Sequence, residues 1–232
     1  MRPRIGITTS LEGDEQRLDL RYVHAVDRAG GLPIPVALVG AGAAEELESA
    51  LDALVVVGGP GVVDGLIAPL APELAPVSDR RRHADARILQ AFVTAGRPVL
   101  GICYGMQLAN ALRGGTIYGD VERQLAGSMP HSHQRGATTH EVSVLPDTHL
   151  RRILGTGTVV VPTHHLQAVA AVGSGLRVSA TAPDGVIEAV ESIDGAFIGV
   201  QFHPERMGDE MAPLFRHLVA AAARAAGRGT AA

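Results

Sequence analysis

The sequence has one cysteine, Cys103, among its 232 residues, so no internal disulfide can form, and a reducing compartment, the cytoplasm, is the expected location. No apolar run approaches the roughly 18 residues that a membrane span requires, and no basic-then-apolar leader opens the chain. Basic charge is also scarce: the formal net charge is −4 with 20 Lys and Arg. That leaves no broad basic face, which sets nucleic acid and anionic membranes aside as partners. There is no internal repeat, no Walker-type phosphate loop and no G-x-G-x-x-G, so the chain carries no module for activating an acceptor with ATP. No cofactor is expected.

What is present is ordinary for a globular protein, 46% hydrophobic and 19% charged residues, long enough for one large core. The expectation is a single domain over residues 1–226, with 227–232 a frayed tail. Short β-branched runs at Arg4 to Thr9, Leu32 to Leu38 and Ala53 to Val57 alternate with helical spacing at Leu18 to Arg28 and Ala43 to Leu51. Such alternation predicts an α/β fold with a mostly parallel central sheet between helices. Ser10 to Gln16 reads as a polar stop, and Val62 to Ser78 as a loop covering the site. Arg80, Arg81, Arg82 and His83 read as a solvated helix start, or as a source of one arginine for a substrate carboxylate. After Gly114-Gly115 come short strand-like runs at Thr116 to Tyr118, Glu141 to Leu145, Val159 to Val161 and Leu166 to Ala171, an antiparallel extension of the sheet. A helix over Asp209 to Arg224 closes the fold.

The stretch that carries chemistry is Val99-Leu100-Gly101-Ile102-Cys103-Tyr104-Gly105-Met106-Gln107, an apolar strand running into a helix. Glycine on either side of Cys103 allows a tight turn that lifts the side chain above the strand end, and a helix N-terminus favours thiolate over thiol. About a hundred residues later, Phe197-Ile198-Gly199-Val200-Gln201-Phe202-His203-Pro204-Glu205 ends a second apolar strand on His203. Pro204 fixes the chain so that Glu205 can turn back toward the imidazole. Cysteine, histidine and carboxylate together are the parts of a nucleophilic triad.

His131, His133 and His140 raise the question of a metal. No Cys or carboxylate lies at a recognised ligand spacing nearby, so no metal is expected, and His131 and His133 are placed on an exposed loop.

The two signatures resemble those of the class I glutamine amidotransferase-like superfamily, and the resemblance covers nearly the whole chain. Within it, Thr181 to Glu191 and Val161-Pro162-Thr163-His164-His165-Leu166-Gln167 are similar to the γ-glutamyl-γ-aminobutyrate hydrolase branch, peptidase family C26. The chain departs from that branch at Tyr104, where arginine is usual, at Gly58-Gly59-Pro60-Gly61, where Gly-Gly-x-Asp is usual, and at Pro162 and Thr163. The resemblance implies a three-layer, flavodoxin-like architecture. It makes Cys103 the nucleophile, His203 the acid and base, Glu205 its orienting partner, and the N–H groups of Gly59 and Tyr104 the oxyanion hole. Gln107, His165 and Gln167 become substrate-binding residues.

The implied activity is hydrolysis of a γ-glutamyl amide through a thioester, with a small γ-glutamyl substrate as partner. Alternatives are a glutaminase subunit supplying ammonia to a separately encoded synthetase, and a non-catalytic regulator. Oligomeric state, a homodimer included, stays open.

Overall fold

Strands buried on both faces must be covered on both, and the early apolar runs have that character: Ile5 to Ile7 and all of Ala53–Val56 are buried. In the computed structural model, which describes residues 1–40 and 42–228, Arg4–Ile7 lies between Leu32–Pro35 and Ala53–Val56, parallel to both. Pro33 and Pro35 are tolerated because Leu32–Pro35 is the edge strand. Leu54 N–H donates to Pro98 O at 3.0 Å, next to the strand Val99–Ile102.

Helices flank this sheet in two pairs, Leu20–Arg28 with Ala212–Arg228 and Ala43–Ala50 with Asp79–Thr94. Asp19 starts the first of them, its carboxylate accepting from Arg21 N–H at 2.9 Å. A side chain at Gly31 would bring a Cβ to 2.7 Å from Ile5 and 2.9 Å from Val219, so only glycine lets the chain turn this close to strand and helix. These elements make up one compact unit, Met1–Val57, Ser78–Leu100 and the chain from Pro204 onward.

The arginine run at the start of Asp79–Thr94 is only partly solvated. Arg80 and Arg82 reach Asp14 and Asp79 at the surface, but Arg81 is 1% exposed and its Nε donates to the equally buried Asp85 at 3.1 Å, one helical turn on. The polar run after the first strand is also more ordered than expected: Ser10–Glu12 and Glu15–Arg17 pair as a hairpin around Gly13, at φ 59°.

The second unit comprises Gly58–Val77 and Gly101–His203. Its strands run antiparallel in the order Phe197–Val200, Ile187–Ser192, Leu176–Thr181, Thr139–Val144 and Thr158–Pro162. Ala168–Ala171 pairs with both Ile187–Ser192 and Thr116–Tyr118. Thr139–Val144 alternates exposed and buried residues strictly, as a sheet covered on one face must.

A short helix, His149–Leu154, adds to the elements expected from the sequence, although Thr148 caps its start and Gly155 its end. It forms because the fully buried Glu191 accepts from the N–H groups of His149 at 2.8 Å and Leu150 at 3.0 Å, while Arg177 neutralises the same carboxylate at 2.6 Å.

The architecture is therefore α/β, a mostly parallel central sheet flanked by helices with an antiparallel extension, as expected. Ala212–Arg228 carries helix through the first two residues of the expected tail, and 229–232 lie outside the described residues. Among the described residues, no helix is long and apolar enough to cross a membrane.

Candidate functional site

The strand Val99–Ile102 is buried along its length and ends on Cys103, which has φ 50° and ψ −103° and precedes the helix Tyr104–Leu112. Among the described non-glycine residues only Cys103 and Asp147 have positive φ. Such a backbone costs on the order of 1–3 kcal/mol and persists only where its surroundings enforce it. Two hydrogen bonds do so here: Cys103 N–H donates to Val200 O at 2.8 Å, and Cys103 O accepts from Gln107 N–H at 3.1 Å. Gly101 is required by the same turn, since a Cβ there would sit 2.9 Å from backbone atoms of Gly105 and Met106.

Cys103 is 8% exposed, and its sulfur accepts from Gln201 Nε2 at 3.4 Å. From that amide a buried chain continues. Gln107 Nε2 donates to Gln201 Oε1 at 2.9 Å and to Gln167 O at 3.1 Å. The Gln167 amide in turn accepts from Val62 N–H at 2.7 Å and donates to Val62 O at 2.9 Å. Cys103 is thus tied through three glutamines to the loop after Gly58-Gly59-Pro60-Gly61.

Gln201 stands out in retrospect as a polar residue inside the apolar run Val200-Gln201-Phe202, where burial must be answered by a hydrogen bond. The side-chain amides of Gln107 and Gln167, expected to meet substrate, make these internal bonds.

Five of the expected site residues, Gly59, Cys103, Gln107, His165 and Gln167, line one pocket together with Pro60, Leu74, Ser132, Gln134, His164 and Leu166. Gly59 is exposed at its edge and Tyr104, after the cysteine, is fully buried. His203 follows the strand Phe197–Val200, half-buried, with its ring edge-on to His164 at 5.9 Å between centroids. Glu205 is buried in the turn Pro204–Arg206 of the first unit, 3.6 Å from Arg206 Nε, and lines a separate cleft with Ala25, Arg28 and Phe215.

The histidines correct the sequence reading. His133 is exposed, as expected, but His131 is wholly buried, because its ring packs against His140 and His165 at 4.9 and 4.8 Å between centroids. The carboxylate missing from the local sequence arrives from a distant strand: His131, His140, His165 and Glu188 bring one ligand atom each to within 4.8 Å of one another. His165 Nδ1 donates to Gln167 O at 2.9 Å and its Nε2 lies 3.3 Å from Glu188 Oε1, so both ring nitrogens of this expected substrate residue face protein groups.

This constellation can be compared with known proteins. Protein NtpR of Enterococcus hirae is 33% identical over 190 residues, 79% of each chain. The γ-glutamyl-γ-aminobutyrate hydrolase PuuD of Escherichia coli K12 is 31% identical over 208 residues, 85% of this chain and 82% of that one. Among solved structures, the glutaminase domain of CTPS from Trypanosoma brucei, with acivicin bound, shares the fold at a TM-score of 0.67 and 19% identity, covering 96% of this chain and 94% of that one. The family model for peptidase C26 matches residues 3–205, a span that takes in the strained cysteine, the glutamine chain and the strand that precedes His203, and on that match the chain belongs to the peptidase C26 family.

Proposed function

We propose that the protein is a cysteine-dependent hydrolase of γ-glutamyl amides. In this reading the Cys103 thiolate attacks the γ-carbonyl carbon, and the N–H groups of Gly59 and Tyr104 stabilise the oxyanion. Collapse of the tetrahedral intermediate breaks the C–N bond, and the amine leaves with a proton from His203. Water, deprotonated by His203, then attacks the thioester carbon; the C–S bond breaks, glutamate leaves, and the Cys103 thiolate and protonated His203 that began the cycle are restored. Glu205 orients His203.

The observation that carries this reading is Cys103 itself, a strained residue at a strand-to-helix turn that lines a pocket with Gly59, Gln107 and Gln167. Membership of the C26 family and the likeness to a γ-glutamyl-γ-aminobutyrate hydrolase support the substrate class.

The test is glutamate release by the purified chain, without ATP, from γ-glutamyl-γ-aminobutyrate and from glutamine, with Cys103→Ala as blank. Faster turnover of the γ-glutamyl amine, abolished in Cys103→Ala, is expected. Turnover of glutamine alone, and only after a synthetase is added, would replace this reading by an ammonia-supplying subunit. Undiminished turnover in Cys103→Ala would overturn the nucleophile.

A further inference from the structure

The buried cluster beneath the pocket-lining segment has a hydrogen-bond pattern that fails to close on its own. Each histidine commits one ring nitrogen to an acceptor: His140 Nδ1 to Glu141 O at 3.1 Å, His165 Nδ1 to Gln167 O at 2.9 Å, and His131 Nε2 to Asp184 Oδ2 at 2.8 Å. A carbonyl or carboxylate can only accept, so these nitrogens carry the protons, and in a neutral imidazole the other nitrogen is then a bare lone pair. All three bare nitrogens lie close to one atom. His140 Nε2 and His165 Nε2 lie 3.3 Å and His131 Nδ1 3.5 Å from Glu188 Oε1.

None of these nitrogens, and neither oxygen of the fully buried Glu188, has a hydrogen-bond partner among the described residues. Polar groups left unsatisfied at this depth keep the full penalty of their lost hydration. One added proton could satisfy one nitrogen, and two bare nitrogens would still lie beside the oxygen.

We propose that His131, His140, His165 and Glu188 bind a divalent transition-metal ion, zinc being the best fit, and that the ion is structural.

Three lines of geometry and chemistry support the proposal. Tetrahedral zinc at about 2.0–2.1 Å from its ligands sets neighbouring ligand atoms about 3.3–3.4 Å apart, close to the separations between the histidine nitrogens and Glu188 Oε1. Three imidazoles and one carboxylate suit zinc, whereas magnesium and calcium prefer oxygen. The outer hydrogen bonds, one of them to the Asp184 carboxylate, fix each ligating imidazole's tautomer and orientation.

Four protein ligands close the coordination sphere, which is the mark of a structural site. The site also joins parts of the pocket. His165 N–H donates to His131 O at 3.0 Å and His133 N–H to Thr163 O at 3.2 Å, so an ion held between His131 and His165 would brace the two segments that present Ser132, Gln134, His164 and Gln167.

The experiment uses the whole chain, purified from zinc-supplemented medium and dialysed free of loose metal. Elemental analysis should find one zinc per chain. Removal with a strong chelator should lower Tm, and returning zinc should raise it by about 5–10 °C. Cobalt reconstitution should give the intense visible absorption of tetrahedral Co²⁺. Glu188→Gln, which keeps the shape of the side chain, and His140→Asn should retain native circular dichroism and lose the metal. If one of these two variants does not fold, the other carries that arm.

A folded wild-type chain that holds less than a tenth of an equivalent, with a Tm indifferent to added zinc or cobalt, would overturn the proposal in favour of a protonated histidine–carboxylate network. None of these readouts depends on catalysis, so the outcome is independent of the hydrolase assignment.

Discussion

The backbone of Cys103 offers a test of sign. At an ordinary buried position, trimming alanine to glycine gives up a methyl group worth about 0.8 kcal/mol of burial and adds unfolded-state freedom worth about 0.5–1 kcal/mol. Ala109, buried in the helix Tyr104–Leu112, is such a position, and Ala109→Gly should destabilise by about 1.5 kcal/mol. Cys103 has φ 50°, a value that glycine adopts without penalty and alanine does not, so the strain of about 1–3 kcal/mol present in Cys103→Ala vanishes in Cys103→Gly. Relief and loss offset each other, and Cys103→Gly should be at least as stable as Cys103→Ala, a contrast of roughly 2 kcal/mol with the Ala109 step. Urea denaturation of the four proteins, wild type included, measures both steps, and slopes that agree show the unfolded states to be comparable. An Ala-to-Gly loss at 103 equal to that at 109 would refute the claim that the fold strains its cysteine.

Further outcomes follow from the buried polar contacts. Gln167→Ala should free Val62 from both of its side-chain bonds, lowering stability by about 2 kcal/mol and making the segment from 58 to 77 the first cut in limited proteolysis. Glu191→Ala leaves the N–H groups of His149 and Leu150 and the Arg177 guanidinium unanswered, and should cost about 3–5 kcal/mol in urea denaturation. The Arg135 guanidinium beside Asp120 holds that carboxyl below the usual aspartate range. Its folded pKa lies below its unfolded value, so its contribution is full above about pH 4 and is lost as pH falls through the folded pKa. Asp120→Asn should therefore flatten the acid side of a stability–pH profile below pH 4, and an unchanged acid slope would show that the pair contributes nothing to folding.

The readable parts of the sequence were those in which local chemistry decides the structure. A cysteine between Gly101 and Gly105 at the end of an apolar strand can do little except sit at a tight turn, and its backbone is strained there, as the glycines imply. Strand and helix alternation over the first hundred residues was readable for the same reason: strands such as Ala53–Val56 are buried on both faces and are apolar throughout. His131 was misread because burial of a histidine depends on partners far along the chain. Its neighbours, Met129, Pro130 and Ser132, have the composition of a surface turn, and only the fold brings His140, His165 and Glu188 around it.

The strand Ile187–Ser192 shows where such reading stops. It carries two glutamates, Glu188 and Glu191, in an apolar context, and both are fully buried. Residues three apart on a strand point to opposite faces. One carboxylate meets three imidazoles. The other meets a helix N-terminus and an arginine. Pattern and spacing give the two residues the same description, and their surroundings give them opposite work: Glu191 is satisfied by donors supplied within the chain, whereas Glu188 has no donor among the described residues and, on the proposal above, takes a cation from outside the chain. A buried acid on an apolar strand is therefore best read as a demand for positive charge. Whether backbone dipoles, an arginine or a metal meets that demand follows from which donors the tertiary fold brings within reach.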